Sequence, residues 1–142
     1  MLRSRPRLLL LGVAPLLLLA TAGCPGRLED PERFGGDAVG TCTLDVEKTL
    51  LPTSCGGGGC HGASKPAANL DLESQGVGRR LVGVPSACGG KPLVSAGTSY
   101  FLEKLEPDPE CGAQMPVGAE LSAYERGCLA QYVQGLLDGG TQ

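Results

Sequence analysis

Large rings are scarce in this sequence: its 142 residues include no Trp, two Phe, three Tyr and a single His. So few aromatics cannot build a deep core, and a small domain made this way usually needs a covalent or cofactor staple. Basic residues are also short, with 12 Lys+Arg against 15 Asp+Glu and a formal charge of −3. That balance excludes a partner held by phosphate neutralisation, so no nucleic acid is expected. No apolar run approaches the ~18 residues of a stable transmembrane helix, which excludes a multi-span membrane protein. A plainly disordered chain is excluded as well, because 42% of the residues are hydrophobic and only 19% are charged. What the chain has in excess is 23 Gly, 11 Pro and 7 Cys. One small, loop-rich, stapled domain is the expectation.

The first residues read as an address. Arg3, Arg5 and Arg7 precede an apolar stretch from Leu8 to Ala20, and Thr21-Ala22-Gly23-Cys24 supplies small residues ending in a cysteine. The order is that of a secretory signal. Its ending resembles the lipobox of bacterial lipoproteins, in which cleavage falls just before a cysteine that is then lipidated. Residues 1–23 are therefore expected to be removed and Cys24 to carry lipid, in preference to an ordinary signal cut near Ala22 or Gly23. The product is exported and lipid-anchored to the bacterial cell envelope, facing the periplasm or the cell surface. Pro25, rather than an acid, follows the lipid cysteine and favours the outer membrane. Cleavage removes three Arg and no acid, leaving 9 basic and 15 acidic side chains and a charge of −6. Residues 24–40, with Pro25, Gly26, Pro31, Gly35, Gly36 and Gly40, read as a lipidated terminus and linker. Residues 41–142 are left as the folded domain.

Six cysteines remain in that domain: Cys42, Cys55, Cys60, Cys88, Cys111 and Cys128. In an oxidising compartment they can form three bridges. Parity alone does not explain Cys55-Gly56-Gly57-Gly58-Gly59-Cys60-His61-Gly62, where the chain's only His directly follows a cysteine. The haem-attachment signature is Cys-x-x-Cys-His, in which two thiols join the haem vinyl groups and the adjacent His reaches the iron. Here the spacing is Cys-x4-Cys-His. The vinyl separation is fixed, so the extra residues must loop out, and four consecutive glycines suit that task. The other side of the iron needs a ligand as well. Met1 leaves with the signal, so Met115 is the one candidate; it lies 54 residues after His61 in the loop Cys111-Gly-Ala-Gln-Met115-Pro116.

Taken together these residues resemble the small cytochrome c-like domains of bacterial exported lipoproteins, including those with a wide Cys-x4-Cys-His spacing. The resemblance runs from about Thr43 to Leu137. Its blocks are Cys55-x4-Cys60-His61-Gly62, Asn69-Leu70-Asp71-Leu72, Leu81-Val82-Gly83-Val84-Pro85-Ser86, Leu93–Gly97 with Ser99–Leu105, Met115-Pro116 and a closing helix from Leu121. It implies one covalent haem c at Cys55 and Cys60, His61 as proximal iron ligand and Met115 as distal ligand. The function implied is electron transfer without catalysis, with redox proteins as partners. Four cysteines are then surplus and three pairings are open. The favoured pairing is Cys88–Cys111, which restrains the Met115 loop, with Cys42–Cys128, which pins the first helix to the last. The competing reading is a haem-free, disulfide-stapled lipoprotein with a structural or interaction role, in which Cys55 and Cys60 are themselves bridged.

The implied fold is all-α, three to five short helices around the haem. Thr43–Leu51 reads as a helix stopped by Pro52, Asn69–Ser74 and Arg79–Val84 as a turn or two each, and Thr98–Leu105 as a helix ended by Glu106-Pro107-Asp108-Pro109. The last helix opens with the capping box Ser122-x-x-Glu125 and repeats Tyr124, Cys128, Leu129, Tyr132, Val133, Leu136 and Leu137 at helical spacing. Other motifs are weaker. Gly57-x-Gly59-x-x-Gly62 matches a dinucleotide fingerprint by letter but has no strand before it. Zinc on Cys55, Cys60, His61 and a fourth thiol competes with thiol pairing. A nucleophilic cysteine using His61 as base lacks an orienting partner. Glu103, Glu106, Asp108, Glu110 and Glu120 form an acidic face suited to a basic redox partner.

Overall fold

The computed structural model describes residues 40–139. The expected signal segment, the expected lipid attachment at Cys24 and nearly all of the expected linker lie outside the described residues. Of those described, 36% are helical and 7% fall in strand bridges, and no sheet forms. Helix α1 spans Val46–Cys55, α2 Gly78–Leu81, α3 Tyr100–Glu103 and α4 Ala123–Leu137; one 3₁₀ turn covers Ala67–Asn69. Among the described residues no helix is long and apolar enough to cross a membrane.

Helix α1 departs from the sequence expectation. It does not stop before Pro52 but runs through it to Cys55, wound in the wide π form. In an α-helix the Pro52 ring would meet the carbonyl four residues back. The wider winding moves that carbonyl away, and Gly56 N–H closes a five-residue turn on the Leu51 carbonyl at 2.8 Å. Thr53 Oγ1 adds a bond to the Thr49 carbonyl at 2.7 Å. At the other end Asp45 caps the helix by accepting from Lys48 N–H at 3.0 Å. Val46, Leu50 and Leu51 point into the core, so a helix with an apolar face ends on the first cysteine of the glycine loop.

Helix α4 carries its capping box as the sequence pattern implied: Ser122 Oγ accepts from Glu125 N–H at 3.2 Å, and Glu125 accepts from Ser122 N–H at 2.8 Å. It packs on α1 and buries Cys128, Leu129, Tyr132 and Val133 in the core. Tyr124 is the exception to the expected apolar face. It lies in the first turn, is half-exposed, and takes a hydrogen bond from Thr43 N–H at 3.2 Å. Two disulfides, Cys42–Cys128 and Cys88–Cys111, match the favoured pairing. The first ties the irregular segment entering α1 to the middle of α4. Glu47 of α1 adds a polar tie beside it, accepting from Tyr132 Oη at 2.5 Å and from the N–H groups of Gly76 and Gly78 at the start of α2.

Between these helices the chain is irregular. Of the expected helical stretch Asn69–Ser74, only Asn69 is helical, closing the 3₁₀ turn; beyond it Asp71 Oδ1 accepts from both Glu73 N–H and Ser74 N–H at 2.9 Å and folds the backbone into a turn of its own. The Ser74 and Glu73 bonds hold the Asp71 carboxyl at about 2. Past α2, Val82 pairs with Val94 and Pro85 with Pro92 in isolated bridges, so the expected helical turn there ends at Leu81. Ser99 Oγ caps α3 by accepting from Leu102 N–H at 3.2 Å. The core is largely aliphatic, with Leu51, Leu72, Leu81, Leu102, Leu129, Val77, Val94 and Val133 sealed from solvent and Tyr100, Phe101 and Tyr132 as its rings.

Candidate functional site

The glycine loop begins where α1 ends. Two of its four glycines, Gly57 and Gly59, have φ of +88° and +86°, which L-residues with a Cβ adopt only with strain. The loop closes on itself when His61 N–H donates to the Cys55 carbonyl at 3.0 Å and Cys60 N–H to the Gly57 carbonyl at 3.3 Å. Gly62 is packed so closely that an added Cβ would lie 2.5 Å from the Gly57 carbonyl oxygen. Cys55, Cys60 and His61 are thus gathered by one short turn.

The imidazole is oriented by backbone alone. His61 Nδ1 lies 3.1 Å from the Ala67 carbonyl and 3.1 Å from the Leu70 carbonyl. Carbonyls only accept, so Nδ1 carries the proton and Nε2 is the ring's open lone pair. That is the tautomer a metal-ligating His adopts when its other nitrogen is anchored. The anchoring loop is strained: Lys65, Ala68 and Asn69 have φ of +57°, +53° and +57°, each costing on the order of 1–3 kcal/mol. Further bonds lock the turn from outside. Leu72 N–H donates to the His61 carbonyl at 2.8 Å, Ala67 N–H to the Cys60 carbonyl at 2.8 Å, and Ala63 N–H to Glu73 Oε2 at 3.0 Å.

Among the described residues, Cys55 and Cys60 are the two cysteines left unbridged. Burial, reinforced by Cys60 nearby, pushes the Cys55 thiol up to about 11. A thiol that holds its proton at neutral pH is a poor nucleophile toward substrates, which weighs against Cys55 in that role. The other four described cysteines are consumed in bridges, and among the described residues no three His, Cys, Asp or Glu converge on a metal position.

Met115 sits on a separate loop after α3, half-buried, with its N–H donating to the Lys104 carbonyl at 2.7 Å. The Cys88–Cys111 bridge holds this loop four residues upstream. An open groove of about 530 Å³ flanks it, lined by Ala113, Gln114 and the stretch 116–120, with Val117 70% exposed at its rim. Among the described residues no hydrogen bond or ion pair joins the Met115 loop to the glycine loop. Of the acidic residues, Asp108, Glu110 and Glu120 are exposed; Glu103 and Glu106 are half-buried, and Glu110 pairs with Lys91. Sequence reasoning missed the carbonyls of Ala67 and Leu70, the Glu73 carboxylate and Lys104. Only Asn69, a residue that tolerates left-handed backbone, hinted at the first pair. No protein family, curated protein or solved structure matches the chain.

Proposed function

We propose that this chain is an electron-transfer protein, a monohaem c-type cytochrome anchored to a bacterial membrane through lipid on Cys24. Cys55 and Cys60 tether haem c by thioether bonds, His61 is the proximal iron ligand through Nε2, and Met115 is the distal ligand. One observation supports the reading: the only His has its Nδ1 fixed by two carbonyls, and the two cysteines of its turn are, among the described residues, the pair left free of disulfides. These residues fit the group by chemistry, with two unpaired thiols and an open imidazole lone pair on a single turn.

Haem bound there supplies a one-electron Fe(III)/Fe(II) couple. The chain's own residues do the rest. The Ala67 and Leu70 carbonyls fix the His61 ring through Nδ1. Gly57 and Gly59 let the wide motif fold back so that both thiols stay on one turn. A thioether on the distal side raises the reduction potential relative to harder ligands. No residue acts as catalytic acid, base or nucleophile, and exposed Asp108, Glu110 and Glu120 steer encounter with a basic redox protein.

The test is export to the periplasm together with a haem-maturation system, followed by denaturation. Haem absorbance that stays with the denatured chain is the expected result, and Met115→Ala lowers the potential of the loaded protein. A colourless chain with three disulfides would replace this reading with the haem-free, stapled lipoprotein. An unaltered potential in Met115→Ala would remove Met115 as ligand.

A further inference from the structure

Lys104 carries a positive charge that no carboxylate meets: among the described residues the ion pairs are Lys48–Asp45 and Lys91–Glu110. Its ammonium turns instead to backbone, donating to the Cys111 carbonyl at 2.7 Å and also to the Ala113 carbonyl. Its own carbonyl accepts from Met115 N–H at 2.7 Å. One residue therefore holds three points of the five-residue segment from Cys111 to Met115. Neighbours assist, with Tyr100 Oη donating to the Cys111 carbonyl at 3.2 Å and Gln114 Nε2 to the Leu105 carbonyl at 2.8 Å. The segment crosses no helix and no strand, so these bonds and the Cys88–Cys111 bridge are what shape it. Burial lowers the proton affinity of Lys104, so the charge is kept at a cost that the charge-assisted carbonyl bonds offset.

We propose that Lys104 is the positioning residue for Met115, gathering the Cys111 and Ala113 carbonyls so that the loop presents the thioether in one place. The proposal rests on the haem reading for its spectroscopic consequence, but the ordering of the loop stands apart from it. Lys104→Leu keeps the apolar stem and removes every donor; Lys104→Arg keeps charge and donors.

The experiment has two arms on the full chain. In the haem-free, oxidised protein, amide hydrogen exchange is followed at Met115, whose N–H is the hydrogen-bonded amide of the segment, with α4 as the reference for an intact fold. Exchange about tenfold faster is expected in Lys104→Leu, close to parental in Lys104→Arg, and unchanged in α4. In the haem-loaded protein, the charge-transfer band of methionine sulfur on ferric iron weakens in Lys104→Leu and returns in Lys104→Arg. The reduction potential falls in the direction of Met115→Ala. Parental exchange in Lys104→Leu overturns the proposal. So does faster exchange throughout α4, which would make Lys104 a residue of the fold, and so does a loosened loop with an unaltered band. A parent that takes up no haem refutes the electron-transfer reading separately, and the exchange arm still decides whether Lys104 holds the loop.

Discussion

The two disulfides enclose very different loops, and their removal should not cost the same. Cys42–Cys128 spans 86 residues and Cys88–Cys111 spans 23, the second lying inside the first. In the chain-entropy account, closing the inner loop contributes about 3.4 kcal/mol on its own. With that bridge in place, the path from Cys42 to Cys128 runs across it and shortens from 86 to about 64 links, because 23 residues are replaced by one crosslink. Opening the outer bridge alone then costs about 4.3 kcal/mol, and opening the inner bridge alone about 3.1 kcal/mol. The native state widens the gap, since Cys128 is fully buried in α4 and its replacement leaves a void. The comparison is Cys42→Ala/Cys128→Ala against Cys88→Ala/Cys111→Ala in urea. Far-ultraviolet dichroism is the probe, because the chain has no Trp to report by fluorescence. The outer double variant should lose at least 1 kcal/mol more than the inner one. The reverse order, or an outer variant within about 1 kcal/mol of the parent, would refute the reasoning.

Further predictions concern particular contacts. Burial pushes the Glu47 carboxyl up, but bonds from Tyr132 and from the N–H groups of Gly78, Gly76 and Val77 outweigh it and leave the group below its ordinary 4.5. Its stabilisation is therefore full above that value and is lost as pH falls through the lower folded one. Tyr132→Phe should cost about 2 kcal/mol at pH 7, with the difference from the parent shrinking in acid; a pH-independent difference in urea midpoints would contradict this. Gly62→Ala drives a methyl against the Gly57 carbonyl and should lower the yield of haem-loaded protein while the fold persists; parental loading would contradict it. Ala68→Gly relieves left-handed backbone at an exposed site and should stabilise by about 1 kcal/mol. A loss of stability in thermal melts would mean that the strain is not held there.

Some of this architecture is legible in the sequence because it depends on side chains close together in the chain. Ser122 and Glu125 announce the start of α4, and Ser99 stands one residue before α3. The Cys55–His61 turn is legible for the same reason, since its chemistry sits in seven consecutive residues. Other features turn on backbone groups, which have no signature in the letters. The Ala67 and Leu70 carbonyls that fix His61, and the Cys111 and Ala113 carbonyls that meet Lys104, are of this kind. Pro52 misleads for a different reason. It forbids the ordinary α winding, and the chain answers by widening the helix rather than ending it, so α1 reaches Cys55. Asp71 similarly diverts a helix-like stretch by binding the backbone N–H groups just after it.

The central claim is that Cys55 and Cys60 hold haem, and the peptide that carries them tests it most directly. Trypsin cuts after Lys48 and Arg79 but not at Lys65, which precedes Pro66, so Thr49–Arg79 is released with these two cysteines and no others. The exported, matured chain is digested without reduction and the peptide is weighed. The account predicts the mass of Thr49–Arg79 plus one haem, with haem absorbance following the same peptide. The bare peptide, or the peptide lighter by two hydrogens from a Cys55–Cys60 disulfide, would contradict it.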